Sequence, residues 1–221
     1  EATDIKFAYV YVNVYAGTAQ PTYDIIANTT ITTANATSTH SEYLWYPTGV
    51  IDGTRFVLND YIDKVYSDYM IFYNITDMVQ GLNGTSVSVD VHSLPGNRQF
   101  DGRIKLVSLI LAYDDGDDDE VFYQFNAGQA WTNAKTGVSF DAGEFELGEN
   151  GKVTLTNIGL SSNDAFYELN GMPLISQEDY GDVYIDGSYY QYHEWDLTEL
   201  FDSELYLECT ASSSGWASFK E

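Results

Sequence analysis

The sequence predicts an all-β protein made of two related, jelly-roll-like β-sandwich lobes. Its composition favours strands, with 19 Tyr, 11 Phe and 4 Trp among 221 residues. Several segments place an apolar side chain at every second position, which is the period of a half-buried strand. A short motif also occurs twice along the chain, which indicates that the two lobes arose by internal duplication.

The first lobe begins with the clearest strand of the chain. Residues 5–15 place aromatic side chains on one face and Ala or Val on the other. Residues 23–33 predict a Thr-rich strand or pair of strands, and the polar, aromatic residues 34–46 predict a long loop. The segment 68–79 begins as a strand and ends in a Thr-Asp pair, which favours a single helical turn. Residues 86–91 alternate Val with polar residues and predict another strand.

The stretch 102–126 is the most distinctive part of the lobe. From Arg103 to Tyr113 apolar side chains occupy both parities, so we expect a strand that is covered on both faces and lies at the centre of a sheet. Six acidic residues follow within seven positions. A second, aromatic strand is predicted from Val121 to Phe125.

The second lobe is shorter. Residues 127–150 carry several Gly without clear periodicity and predict a connection between the lobes, so we expect a first lobe at 1–126 and a second at 151–221. Within the second lobe, 165–169 followed by Asn-Gly predicts a hairpin.

The duplication rests on aligned segments in the two lobes. The second copy ends where the first has its strand 103–113, so the second lobe either lacks that strand or takes one from a neighbouring molecule by strand addition. The aligned pairs are 73–79 with 195–201, 87–91 with 205–209 and, more weakly, 5–8 with 151–154.

The charge balance limits the classes of partner. The chain has 34 acidic and 9 basic residues, for a formal net charge of −25. Such a field repels phosphates and anionic lipids, so nucleic acid and membrane surfaces are excluded as partners. Cations, glycans or further copies of the chain fit better. No run approaches the roughly 18 apolar residues of a membrane-spanning helix.

Two features bear on the compartment. The one Cys, Cys209, cannot form an intrachain disulfide, which by itself suggests a reducing compartment. Four N-glycosylation sequons point the other way and favour an extracellular protein. The beginning at Glu1-Ala2, without Met or a basic leader, suits a mature protein whose signal peptide has been removed. The sequons begin at Asn28, Asn35, Asn74 and Asn83.

The run FDGRIKLVSLILAYDDGDDDE carries a resemblance to a known family, most specifically over residues 102–120. From Ile5 to the Trp195-Asp-Leu-Thr segment, the chain resembles an uncharacterised domain of secreted, surface-layer and sheath-type proteins of methanogenic archaea. The resemblance implies an extracellular, non-enzymatic β-sandwich in a cell envelope. The family has no established catalytic residues, so the resemblance assigns none here.

The acidic run is the strongest candidate for a ligand site. Carboxylates this close repel one another unless a hard cation or solvent relieves them, which favours Ca²⁺ or Mg²⁺. The EF-hand pattern is not met, because Glu120 stands where its Gly is required. The alternative is a solvated hairpin tip whose charges keep a sheet edge from pairing wrongly. The candidate ligands are Asp114, Asp115, Asp117, Asp118, Asp119 and Glu120.

Catalytic patterns are absent from the sequence. The three His are far apart, Cys209 falls on the apolar face of its strand, and no nucleophile elbow, phosphate loop or metalloprotease motif occurs. Tyr43 and Trp45 belong to a group of aromatic residues that stack on sugar rings, lie at a protein interface or pack within the sheets. The group also includes Tyr46, Tyr189, Tyr190 and Tyr192.

The sequence therefore predicts a non-enzymatic structural subunit of an archaeal cell envelope, a sheath, surface layer or filament built by self-association. Strand edges, Tyr-rich faces and bound divalent cations would hold the copies together. The alternative is an extracellular carbohydrate-binding or adhesion module.

Overall fold

The computed structural model of the chain describes most of its residues. The fold and the site below are built from these alone, which are 4–15, 25–45, 56–65, 68–80, 84–93, 103–118, 120–126, 130–132, 136–143, 145–160, 165–174, 183–187, 190–201, 204–211 and 218–220.

The chain divides into two compact units, Glu1–Glu120 and Val121–Glu221. Strands and two single-turn 3₁₀ helices are its regular structure in the described residues, which confirms the predicted all-β class. Unit 1 contains β1 (Asp4–Tyr15), β2 (Ile25–Thr33), β3 (Thr37–Leu44), β4 (Phe56–Asn59), β5 (Ile62–Val65), β6 (Asp68–Asn74), a 3₁₀ helix (Thr76–Met78), β7 (Thr85–Ser93) and β8 (Arg103–Asp114).

Unit 2 has shorter strands. It contains β9 (Ala130–Thr132), β10 (Thr136–Asp141), β11 (Thr154–Leu160), β12 (Ala165–Leu169), β13 (Met172–Pro173), β14 (Val183–Gly187), β15 (Tyr190–Asp196), a 3₁₀ helix (Thr198–Leu200), β16 (Glu204–Ala211) and β17 (Ser218–Lys220).

Unit 1 is a sandwich of two antiparallel sheets. A five-stranded sheet has the order β4-β5-β6-β1-β8, and a three-stranded sheet has the order β3-β2-β7. The two sheets share one core, to which β1 contributes fully buried Val10, Val12 and Val14 and β2 contributes Ile25 and Ile31. The predicted alternation of β1 is confirmed, because the Val face is the core face.

The strand β8 does not lie at the centre of its sheet, so that prediction is wrong. Among the described residues β8 ends the five-stranded sheet with β1 as its strand neighbour, and Val107 and Leu109 are 40% and 45% exposed. They pair with Val12 and Val10 and so point to the core side, but the opposite sheet has three strands and leaves them partly exposed. The strand buried on both faces is β1, where Asn13 is as buried as the Val residues.

Other local predictions also need correction. The predicted loop at 34–46 contains β3, which pairs with β2 along its length. The predicted strand at Val121–Phe125 is exposed chain without strand pairing. The segment 127–150 contains β9 and β10, and both belong to sheets of unit 2. Hydrophobic periodicity does not predict short strands with few apolar residues, because neighbouring strands bury them.

Unit 2 also has two sheets, with the orders β14-β15-β11-β17-β9 and β10-β16-β12-β13. Its described core includes Leu169, Trp195, Leu197 and Leu207. The Asn-Gly hairpin between β12 and β13 is confirmed. Asn170 and Gly171 have φ of 48° and 79°, the left-handed conformation that a tight hairpin turn requires.

The two units contain the same local junction between a strand and a 3₁₀ helix. Thr76 Oγ1 accepts a hydrogen bond from the backbone N–H of Ala8 at 3.0 Å, and Thr198 Oγ1 accepts one from that of Val153 at 3.0 Å. The structure therefore matches Ala8 with Val153, one residue away from the predicted alignment with Thr154. A common origin of the units by duplication stays a prediction.

The strand next to this junction differs between the units. In unit 1, β8 pairs with β1 from Asp4 to Tyr15. In unit 2, the corresponding place beside β11 is taken by β17, which pairs through Leu160 and Lys220. The described part of unit 2 thus has a three-residue strand where unit 1 has one of twelve residues.

Candidate functional site

The acidic loop after β8 is built from side chains that bind their own backbone. Asp114 Oδ1 accepts a hydrogen bond from Gly116 N at 2.8 Å, and Asp115 Oδ1 accepts one from Asp117 N at 3.3 Å. Gly116 has φ of 87°, which only Gly adopts without strain. All described residues of the loop are exposed. These local bonds turn the chain and leave the carboxylates in solvent.

The predicted cation ligands that the structure describes do not converge on one point. In the residues that the structure describes, no three His, Cys, Asp or Glu side chains are grouped to hold a metal ion. Asp119 lies outside the described residues. The calcium site therefore stays a prediction.

The edge strand β8 is the larger exposed feature. Ile104, Val107, Leu109 and Tyr113 are each at least 40% exposed along one strand. Edge strands of soluble proteins are commonly protected by charge, Pro or a covering segment, because they pair readily with other chains. Between Leu106 and Tyr113 β8 carries no charged residue. This stretch has the properties of an interaction edge.

The other face of the same sheet holds buried polar groups. Lys105 lies at a bulge in the β1–β8 pairing, and its Nζ is 2.9 Å from Oδ1 of Asp68. The Asp68 side chain is fully buried and that of Lys105 is 9% exposed. The Lys105 Nζ also lies 4.8 Å from the ring centre of Tyr15, a cation–π contact.

Sequence reasoning missed this pair. One signal was available, because Lys105 is a cation inside an otherwise apolar strand. Its acidic partner is far away in the chain, and only the strand order brings Asp68 close.

A second polar cluster surrounds Glu42 on β3. The Tyr61 hydroxyl donates to the Glu42 carboxylate at 3.2 Å and the Tyr73 hydroxyl at 3.4 Å. Burial, with the Glu42 charge adding to it, raises the pKa of both tyrosines. Both phenols therefore stay protonated and act as donors. The His40 ring stacks on Tyr73 with centroids 4.3 Å apart, and we assign this cluster a structural role in linking strands.

In unit 2 an aromatic cluster lies on β12 and β15. His193 stacks on Trp195 with centroids 4.8 Å apart and meets the Tyr167 ring edge at 5.0 Å. Burial lowers the pKa of His193 to about 4. The imidazole is therefore neutral at physiological pH and packs as an aromatic ring.

The candidate glycosylation sites differ in accessibility. Asn35 and Asn74 are exposed, Asn28 is half-buried on β2, and Asn83 lies outside the described residues. Asn74 also accepts hydrogen bonds from Thr76 through Oδ1. Asn35 Nδ2, the atom that would carry a glycan, donates to the Gln80 carbonyl oxygen at 3.0 Å, so Asn74 is the more accessible of the two exposed sites.

The aromatic residues considered for sugar stacking are also dispersed. Tyr43 and Trp45 are 48% and 39% exposed at the end of β3. Tyr192 is half-buried and donates to Glu194 at 2.9 Å. The side chains of the remaining three, Tyr46, Tyr189 and Tyr190, lie outside the described residues.

Within the described residues, no helix is long and apolar enough to cross a membrane.

Comparison with known proteins gives a match at the level of the protein family. No curated protein and no solved structure matches the chain significantly. Residues 1–215, nearly the whole chain, match the family described as "Protein of unknown function (DUF3344)". The chain therefore belongs to the DUF3344 family.

Proposed function

We propose that this protein is a structural subunit of an extracellular assembly, of the kind found in archaeal sheaths, surface layers or filaments, and that copies associate through β8. The observation that carries the proposal is the exposed apolar edge of β8. Val107 and Leu109 continue the core side of the sheet beyond the opposite sheet. A strand added there would extend the sheet and cover both side chains.

The occupant that fits this edge is β8 of a second copy. Antiparallel pairing of two identical strands is a closed, twofold contact. Centred on Ser108, it places Val107 of each copy opposite Leu109 of the other, both on the core side. The same pairing brings the basic beginning of one β8, at Arg103, close to the acidic end of the other, at Asp114. Apolar contact and end charges thus favour one register.

The net charge of −25 opposes this association at low ionic strength. At about 1 M salt the Debye length falls to about 3 Å, so repulsion between subunits is screened while apolar contact is retained. Salt is therefore expected to promote association, the reverse of its effect on assemblies held by ion pairs.

The test is the oligomeric state of the full chain across protein and salt concentrations. Val107→Lys puts a charge in the middle of the edge and should weaken association about tenfold or more, a loss of about 1.4 kcal/mol. Ser86→Lys adds the same charge at an exposed site of β7 and serves as the control. Analytical ultracentrifugation with electron microscopy measures both. A wild-type chain that stays monomeric at high protein and salt concentration would overturn the proposal.

A carbohydrate-binding or adhesion role is the second candidate. Tyr43 lies near the end of β3, Trp45 directly follows its last residue, and both rings are exposed. Exposed rings in this arrangement stack on sugar rings. Binding to an oligosaccharide array that is lost in Trp45→Ala, but kept in Val107→Lys, would favour this role over self-association.

A further inference from the structure

The buried pair of Lys105 and Asp68 is costly as a salt bridge. Their side chains are 9% and 0% exposed, and Nζ lies 2.9 Å from Oδ1. Removing both charges from water costs several kcal/mol per ion, so a buried ion pair is weak evidence for stability. The pair is also placed unusually, because it joins β8 to β6 with β1 between them.

We propose that Lys105 and Asp68 condense into an intramolecular amide bond that ties the edge strand β8 covalently to β6. The bond would join the Lys105 Nζ to the Asp68 Cγ. It would form inside unit 1 alone and does not depend on the proposed self-association.

The reaction needs no reactant beyond the two side chains. Burial penalises both charges, so moving one proton from the ammonium to the carboxylate costs less than in water. The neutral amine then attacks Cγ of the protonated carboxyl, and a C–N bond forms. The C–O bond breaks as the hydroxyl leaves with one proton from the nitrogen, as water. The fold holds the amine and the carboxyl in contact. This proximity corresponds to an effective concentration of about 10⁵ M or more.

A further buried carboxyl lies on the same face of the sheet as the pair. Asp63 is 5% exposed and pairs with Met70, which lies two residues from Asp68 on the same face of β6. Diagonal neighbours of this kind have Cβ atoms within about 7–8 Å. Asp63 also acts on Tyr11, whose pKa is raised chiefly by burial and further by the Asp63 charge, so its carboxylate faces this side of the sheet. We assign Asp63 the role of proton relay.

The test is mass spectrometry of the denatured full chain, produced in a host that adds no glycans, followed by peptide mapping. The expected result is a chain lighter by one water, and a branched peptide in which the segments containing Asp68 and Lys105 are joined. A chain of full mass overturns the proposal. Loss of water confined to the Asp68 peptide, which marks a cyclic imide, overturns it equally.

The chain provides its own control, since exposed Lys6 forms an ion pair with Asp4. These two side chains should be recovered unjoined, because water solvates both charges. Asp63→Asn should leave Lys105 and Asp68 unjoined in a chain that folds like the wild type by circular dichroism. A bond that still forms in Asp63→Asn removes the relay role. If that variant fails to fold, the wild-type mass decides the main proposal by itself.

Discussion

Units 1 and 2 carry the same junction but support it with different neighbouring strands. In both, a Thr hydroxyl accepts a hydrogen bond from a backbone N–H, that of Ala8 in β1 or that of Val153 just before β11, and donates to the residue two positions before the Thr. Thr76 donates to Asn74 at 2.8 Å, and Thr198 to Asp196 at 2.6 Å. The hydrogen bonds from Thr198 also lower the pKa of Asp196. The junction is thus tolerant of amide or carboxylate.

The difference lies beyond the junction. β1 has β6 on one side and the long β8 on the other, so both of its faces are buried over many residues. β11 has the full-length β15 on one side and pairs once with β17 on the other. A local motif can therefore be the same in two units while the long-range strand pairing beside it decides how much core each unit builds.

The largest expected effect concerns the packing of unit 2. A Cβ at Gly137 would lie 2.6 Å from the Leu207 carbonyl oxygen and would overlap the Tyr206 ring. Backbone atoms in a sheet cannot move away easily, so Gly137→Ala should destabilise unit 2 by about 3 kcal/mol. Chemical denaturation followed by Trp fluorescence measures the change.

The matched control for this change is Gly148→Ala, because a Cβ there meets nothing within 4 Å. It should leave the unfolding curve almost unchanged. Equal effects of the two substitutions would mean that β10 and β16 do not approach each other this closely at Gly137.

The junction gives the next largest effect and tests the equivalence of the units directly. Thr76→Val and Thr198→Val each remove a hydroxyl that accepts a backbone N–H at 3.0 Å. An unsatisfied buried donor costs about 1–3 kcal/mol, and we expect about 2 kcal/mol for each variant in its own unit. Denaturation with amide hydrogen exchange at Ala8 and Val153 measures both. A large loss of stability in one unit and none in the other would contradict the equivalence of the two junctions.

A smaller effect depends on pH and is confined to unit 2. The pKa of His193 is lowered by burial from 6.5 to about 4. Above pH 6.5 the ring is neutral in both states. As the pH falls from 6.5 towards 4, His193 becomes protonated in the unfolded chain but stays neutral in the folded chain. The free energy of unfolding therefore decreases over this pH range.

His193→Phe keeps the aromatic ring and removes the titration. The free energy of unfolding of the variant, relative to that of the wild type, should increase by about 1 kcal/mol when the pH is lowered from 7 to 4.5. This value allows for the partial exposure of the ring. Urea unfolding at a series of pH values measures the difference. A constant difference across the series would contradict the lowered pKa.

The smallest effect is expected in the acidic loop of unit 1. Replacing Asp115, Asp117 and Asp118 by Asn keeps one side-chain oxygen at each position and removes three exposed charges, so stability should change by less than about 0.5 kcal/mol. Calcium should raise the melting temperature of the wild type and not of the variant if the loop binds it. Equal melting curves of both proteins with calcium and with chelator would count against the predicted site and against cation bridging between copies.

Local features were predictable because a few neighbouring residues decide them. The alternation of β1, the Asn170-Gly171 turn and the 3₁₀ turn at Thr76 each depend on short patterns, and the structure contains all three. The expected cap by the Thr-Asp pair is wrong, because both residues lie inside the turn and Ile75 occupies the N-cap position without a side-chain bond. The candidate site was predictable in part. The sequence singles out both the acidic loop and β8. The pattern of β8 indicated burial, because apolar residues at both parities occur in a central strand and also in this exposed edge strand.

The sequence by itself determined the all-β class, because alternating apolar residues and turn signals act over a few positions. Only the tertiary structure decided which strand is central, because that depends on pairing between distant segments. It placed β1 between β6 and β8, left β8 at the edge beyond a three-stranded sheet, and brought Lys105 to Asp68. These contacts join residues far apart in the chain, and no local pattern records them.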